Sequence, residues 1–252
     1  MYNKAMATIK QFEAADKQFP VYITEPTGPI KGGLIVVEEI WGLRDHIKQV
    51  ADRFAAEGYL VLSPDLLSEI DITEEMANRL QVKLFNPKTR NEAQPQLRTL
   101  MAPMQAPDFA EVAIAKLKTC FDYLIGQPET QEKVAITGFC FGGSYSFSLA
   151  VAEPRLKAAI PFYGHTDYDV AQLKQIKCPI LAFYGEKDER LIEGLEELRS
   201  KMDQAGVDFT AQVYPGCGHA FFNDTNPFAY NRAAATDAWS RALEFLATNL
   251  TS

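Results

Sequence analysis

The stretch VAITGFCFGGSYSFSLA, Val134 to Ala150, sets a cysteine between glycines where an apolar run gives way to a helical pattern. Val134 to Gly138 reads as a short buried strand, and Gly143 to Ala152 as a helix. The junction Gly138-Phe139-Cys140-Phe141-Gly142 has the form G-x-C-x-G. In the equivalent G-x-S-x-G turn the middle residue sits on a strained backbone. The glycines two before and two after it let strand and helix approach without a side-chain clash. A helix N-terminus also aims free N–H groups and partial positive charge at the thiol, which favours thiolate. Cys140 is therefore a candidate nucleophile. The competing reading is a structural cysteine buried in a glycine-rich turn.

Outward from this junction the chain alternates strands and helices. Gly32 to Glu39 is an apolar run typical of a strand buried on both faces. Ile47, Val50, Ala51, Phe54 and Ala55 share one helical face, which Gly58 ends. Tyr59 to Asp65 is the next strand, and Asp108 to Ile125 the next helix. Strands at KAAIPFYG, PILAFYG and FTAQVYP follow, with helices predicted over Leu191 to Ala205 and Ala229 to Ala247. This rhythm implies a mostly parallel sheet with helices on both faces. No repeat, linker or low-complexity tract divides the chain, so residues 1–252 are expected to form one α/β domain. One segment interrupts the rhythm. Residues 66–107 carry Pro87, Pro95, Pro103 and Pro107 together with Met76, Met101 and Met104. So long an excursion is either a surface detour with two short helices or a wall of the substrate pocket.

Composition limits the function. The chain has 252 residues, 47% of them hydrophobic, which is ample for a substantial core. No run of about 18 apolar residues occurs, and the first residues lack the apolar segment of a secretion signal. A cytoplasmic protein, working as a monomer, is expected. The net charge of −8 argues against nucleic acid or an anionic membrane as the main partner. Four cysteines, Cys120, Cys140, Cys178 and Cys217, are too few for a disulfide scaffold.

A nucleophile on such a turn needs an acid and then a histidine later in the chain. Of the three histidines, His46 precedes Cys140 and reads as a solvated residue on the polar side of its helix. His165 follows PFYG at the C-terminal end of a strand; it is either a residue at the site rim or, the more ordinary reading, a loop or core histidine. His219, in YPGCGHAFFND after the last strand, falls at the carboxyl edge of the sheet, where catalytic loops gather. It is the candidate base. In LAFYGEKDER, Glu186, Asp188 and Glu189 compete for the acid; Asp188 is the best placed, although a helix-capping acid would look the same. After the strand ending in VVEEIWG, the loop would supply one oxyanion N–H from Ile40, and Phe141 the other. Glu38 and Glu39, at the end of an apolar strand, are either solvated at the sheet edge or include a carboxylate facing the thiol.

Taken together, EEIWGL, EGYLVLSPDLL, GFCFGG, FYGEKDE and GCGHAFF, spread in order from Gly32 to Asn223, resemble the dienelactone hydrolase family of α/β-hydrolases. The resemblance implies an α/β-hydrolase fold and a cysteine hydrolase of esters or lactones that needs no cofactor and no metal. It implies Cys140 as nucleophile, Asp188 as acid and His219 as base. It also selects Glu39 over Glu38 as the glutamate that holds and then activates the cysteine. Two features depart from the family. The family's substrate-binding arginine, four residues after the catalytic histidine, falls on Asn223, and a second arginine in the excursion has no clear counterpart. Arg90 and Arg98 are nearby candidates. Trp41, Asn223, Arg90 and Arg98 are thus the residues expected to line the pocket, and a carboxylate-bearing lactone is expected to bind poorly beside a neutral Asn223. A thiol redox or metal protein built on Cys140, Cys217 and His219, or a binding protein on the same fold, is the alternative. Against metal, Cys217-Gly218-His219 is not a usual zinc spacing, and no C-x-x-C occurs.

Overall fold

The computed structural model describes residues 6–86 and 88–250; Pro87, counted in the excursion, lies outside them. Eight strands build one sheet: β1 (Met6–Ala14), β2 (Lys17–Glu25), β3 (Gly32–Val37), β4 (Tyr59–Pro64), β5 (Val134–Phe139), β6 (Ala158–Phe162), β7 (Ile180–Gly185) and β8 (Phe209–Tyr214). Their order is β1-β2-β4-β3-β5-β6-β7-β8. Strands β4 to β8 run parallel to β3; β2 is antiparallel to β4, and β1 pairs antiparallel with β2 at the sheet edge. Because β3 pairs with β4 on one side and β5 on the other, the winding reverses there. The carboxyl ends of β3 and β5 flank this switch point, where open α/β sheets form their clefts.

Every residue of β3, β4, β5, β6 and β7 is buried, as a sheet covered on both faces requires. Alternation along β3 divides the core. Ile35 and Val37 face α4 (Phe109–Ile125) and α5 (Phe141–Ala152), meeting Leu117, Phe121 and Phe147. Leu34 and Val36 face α1 (Asp45–Ala56) and the terminal helix, meeting Phe54, Ala238 and Leu246. Each such leucine or phenylalanine contributes about 1.5–3 kcal/mol by leaving water. A smaller cluster, with Trp41, Leu67, Leu80, Ala93 and Leu100, roots the excursion. That excursion folds as two helices, α2 (Glu74–Phe85) and α3 (Arg90–Met101), followed by a 3-10 turn over Ala102–Gln105. Among the described residues no helix is long and apolar enough to cross a membrane.

Two features differ from the sequence reading. The chain begins its sheet with the β1–β2 hairpin, upstream of the first predicted strand. Its two-residue turn, Ala15 and Asp16, has φ of 51° and 59°, the conformation whose twist suits a tight hairpin. Phe19, Val21 and Ile23 alternate inward along β2, a periodicity present in the sequence. The helix predicted over Leu191 to Ala205 is two: α7 (Glu189–Glu193) and α8 (Leu195–Ala205), separated at Gly194. Between them and β6 lies the single turn α6 (Val170–Leu173), and α9 (Arg232–Asn249) closes the chain.

Candidate active site

The β5–α5 junction is as sharp as the glycine spacing requires. Cys140 has φ 57° and ψ −109°, a conformation unfavourable to any side-chain-bearing residue. It is held there from both sides. Its N–H donates to the Phe162 carbonyl of β6 at 3.0 Å, and the Gly142 N–H donates to the Glu38 carbonyl at 3.0 Å. A Cβ on Gly138 would run into the Gly142 carbonyl, and one on Gly142 into the carbonyls of Val37 and Glu38. Phe141, the first residue of α5, and Ile40, just after β3, both lie on the cavity wall beside Cys140. Among the described residues neither N–H has a protein acceptor, so both remain available to a ligand oxygen.

The structure brings Cys140, His219 and Asp188 together. Asp188 leaves β7 in a turn, its N–H donating to the Gly185 carbonyl at 3.0 Å, and its Oδ2 lies 2.5 Å from His219 Nδ1. The His219 ring and the Cys140 thiol line the same cavity, close enough for the charge of a thiolate to act on the ring. Burial disfavours protonation of this ring, but the Cys140 and Asp188 charges outweigh it and hold its pKa well above the usual histidine range. The imidazole packs on Tyr163, with ring centroids 4.9 Å apart. Tyr163 and Ala220 also have positive φ, 39° and 61°, so backbone strain surrounds the site. The competing acids are occupied differently. Glu186 accepts the Gly216 N–H at 2.8 Å, and Glu189 is an exposed first-turn acid of α7.

The two glutamates after β3 point to different places. Glu39 is 4% exposed; its Oε1 accepts the Tyr163 hydroxyl at 3.4 Å and its Oε2 accepts Asn223 Nδ2 at 2.8 Å. This places it beside the tyrosine that underlies His219, on the wall of the cleft it shares with Trp41 and Asn223 and not on that of the cavity lined by Cys140. Glu38 turns away. Its Oε1 accepts the N–H groups of Leu66 and Leu67 at 2.8 and 3.2 Å, tying β3 to the root of the excursion. Burial, reinforced by neighbouring Asp65, pushes its carboxyl pKa well up.

A cavity of about 910 Å³ opens over Cys140, Asp188 and His219. From the excursion, Arg90, Leu97, Met101 and Met104 reach its wall. Three expected pocket residues lie elsewhere. Asn223 is buried, because the chain turns after Ala220 and aims the amide inward at Glu39; its Oδ1 accepts from Thr225 N and Oγ1 at 3.0 and 2.6 Å. Its neutrality therefore bears on Glu39 and not on a substrate charge. Trp41 packs into the cluster under the excursion and, with Asn223, borders a separate cleft of about 280 Å³. Arg98 is exposed, one residue past Leu97 on α3, and is not on the cavity wall. His46 also departs from expectation. It is 6% exposed, faces Asp224 Oδ1 at 3.4 Å, and packs edge-on against Phe139, because its helix lies flat on the sheet at that point. His165, one of whose two readings is the site rim, lies on the cavity wall. Sequence reading passed over Arg190, Tyr145 and Tyr168, all on that wall as well. Only the closeness of Arg190 to Asp188 could have signalled one of them.

Cys120, Cys178 and Cys217 are buried and free. Burial raises all three thiols, that of Cys178 to about 12. Among the described residues no three His, Cys, Asp or Glu side chains converge as metal ligands.

A cysteine on a sharp turn after β5, an aspartate after β7 and a histidine after β8, on a mostly parallel eight-stranded sheet, have the arrangement of an α/β-hydrolase. More narrowly, the chain belongs to the dienelactone hydrolase family, which it matches over residues 19–250. That makes it a hydrolase of ester or lactone bonds. It is 32% identical to a candidate carboxymethylenebutenolidase of Saccharolobus solfataricus over 251 residues, 93% of this chain and 96% of that one. It is 30% identical to Protein usf of Aquifex pyrophilus, covering 98% and 100% of the two chains. A crystal structure of a candidate dienelactone hydrolase from Klebsiella pneumoniae superposes with a TM-score of 0.79 at 26% identity, over 97% of this chain and 99% of that one. A dienelactone hydrolase-like promiscuous phosphotriesterase from metagenomic libraries shares the fold, with a TM-score of 0.78 at 19% identity over 98% and 99% of the chains.

Proposed function

We propose that this protein hydrolyses carboxylic esters or lactones through an acyl-cysteine intermediate. The observation that carries the reading is His219, bonded to Asp188 Oδ2 at 2.5 Å, on one cavity wall with the Cys140 thiol. The Cys140 thiolate adds to the substrate carbonyl carbon, and the oxyanion is met by the N–H groups of Ile40 and Phe141. One such donor is worth about 3 kcal/mol. Collapse breaks the carbon–oxygen bond, and the His219 imidazolium gives its proton to the departing alkoxide. His219, again neutral, then takes a proton from water as that water attacks the thioester, and the thiolate leaves. Asp188 keeps the ring in register and balances its charge. Glu39, its oxygens fixed by Asn223 and Tyr163, is the carboxylate that would hold and then activate the thiol.

The substrate is a small molecule, with its acyl or alcohol part against Leu97, Met101 and Met104. With Asn223 turned away and Arg90 and Arg190 on the wall, the cavity no longer argues against an anionic substrate. Four free thiols suit a reducing cytoplasm. The test is a burst assay with an aryl ester. We expect one equivalent of phenol per chain, a matching acyl mass on the peptide carrying Cys140, and alkylation of Cys140 at least about 100-fold faster than of the other thiols. Undiminished turnover in Cys140→Ala overturns the proposal.

A further inference from the structure

His165 sits on the wall of the catalytic cavity and has no part in the mechanism above. Though exposed, it is tied to α5. Its backbone N–H donates to Ser144 Oγ at 3.0 Å, and its ring Nδ1 lies 3.1 Å from the same oxygen. Ser144 is four residues after Cys140, one turn up α5 and about 6 Å along its axis. It also lines the cavity.

The proton count at this pair is informative. A serine hydroxyl has one proton to give and two lone pairs to accept with. One lone pair takes the His165 N–H. Among the described residues, the one side-chain partner of the Ser144 hydroxyl is His165 Nδ1; the pair is exposed, so two arrangements fit it, Ser144 donating to Nδ1, or Nδ1–H donating to the second lone pair with the hydroxyl proton given to solvent. A donated Ser144 proton requires Nδ1 to be bare, which leaves the ring proton on Nε2. Partial desolvation at the cavity wall, with Arg190 and His219 adding to it against Asp167, lowers this imidazole's pKa and favours the neutral ring.

We infer that Ser144 fixes His165 as the Nε2–H tautomer, and that His165 thereby presents a hydrogen-bond donor to an acceptor oxygen on the substrate about one helical turn from the scissile carbonyl. The substrate class is then an oxygenated ester or lactone, bearing a keto, hydroxyl or ether oxygen away from the reacting carbonyl, in preference to a plain hydrocarbon ester. The inference rests on the cavity being the substrate site of the proposed hydrolase. His165 is a specificity determinant, and Ser144 a positioning residue that acts through it.

Two measurements test it. The first is the ring nitrogen chemical shifts of 15N-histidine-labelled protein at pH 7.5, assigned with His165→Ala. We expect the Nε2–H pattern in wild type, and a mixed or inverted pattern in Ser144→Ala. The second compares two aryl esters: one with a ketone four carbons from the ester carbonyl, the other its isostere with a methyl branch in place of the ketone oxygen. Their ester groups are equally reactive, so the ratio of kcat/KM reads recognition alone. We expect a ratio near ten in wild type that falls to about one in His165→Ala and His165→Phe, and to between two and five in Ser144→Ala. A proton on Nδ1 in wild type overturns the inference, as does an equal ratio in wild type and His165→Ala. Failure of the cysteine mechanism would look different: Cys140→Ala would retain turnover, while the tautomer pattern and the ester ratio stayed as stated.

Discussion

Cys140 is one of three residues around the site whose backbone is held at positive φ against its own preference; Tyr163 and Ala220 are the others. Such conformations persist only when neighbours over-determine them. Here the Phe162 and Glu38 carbonyls do so, and the thiol is presented to His219. Glu39 and Asn223 show the same economy of contacts. Burying a carboxylate without donors is costly, and Asn223 Nδ2 is the closest donor Glu39 has, at 2.8 Å. We therefore expect Asn223→Ala to lower kcat by about tenfold, equivalent to ~1.4 kcal/mol, with KM within about twofold. Asn223→Asp, which sets a like charge against Glu39, is expected to lower it further. Steady-state kinetics on one neutral and one anionic ester decide the matter. A rise in KM confined to the anionic ester would mean that Asn223 meets the substrate after all.

At the scale of elements, α3 is the clearest case of a segment whose role depends on how it docks. Its Leu97 and Met101, four residues apart, lie on one face and reach the cavity lined by Cys140, whereas Arg98, next to Leu97, faces solvent. Ala93 and Leu100 anchor the helix over Leu67 and Trp41. An apolar substrate group covering Met101 should gain most of a buried side chain's ~1.5–3 kcal/mol. Met101→Ala is expected to raise KM for long-chain aryl esters about fivefold, leaving kcat within twofold and short-chain acetates unaffected. Equal effects on short and long chains would show instead that α3 positions the catalytic groups. The Gly142 contact with Val37 and Glu38 works at the same scale: it lets α5 start close enough to β3 for Ile40 and Phe141 to line one wall.

Across the whole molecule, Glu38 couples the sheet to the excursion and makes stability depend on pH. Its carboxyl is wholly buried, bonded to Leu66 and Leu67, with Oε2 unpartnered and Asp65 nearby. Its folded pKa is raised well above the ordinary glutamate value of 4.5, which holds in the unfolded chain. Folding therefore takes up a proton. The stabilisation is complete below pH 4.5 and declines as pH rises from there through the folded pKa. Glutamine keeps an oxygen for the two N–H groups and cannot ionise. Glu38→Gln is expected to raise Tm at pH 8 by about 2–4 °C, the shift that ~1 kcal/mol produces in a chain of this size. The difference should shrink toward pH 5 while ester turnover persists. A gap that widens as pH falls would refute the buried-acid account.

Local pattern by itself determined the parallel core strands, the turn at Cys140, and the candidacy of His219 and Asp188. Each rests on short-range physics: a fully apolar strand, glycines where backbones must touch, a polar residue directly after a strand. The β1–β2 hairpin was legible too, in the inward alternation of Phe19, Val21 and Ile23, but alternation on an edge is weaker than an unbroken apolar run. Which way the neighbouring glutamates face was not legible, because rotation of one peptide at the end of β3 sends Glu38 to the excursion and Glu39 to Asn223. Nor was the inward turn of Asn223, the burial of His46, or the meeting of Ser144 with His165, 21 residues apart. Those depend on how the loops after β3, β6 and β8 pack against one another. Such packing is settled by hydrogen-bond satisfaction and shape across the sheet edge, quantities that no local spacing encodes.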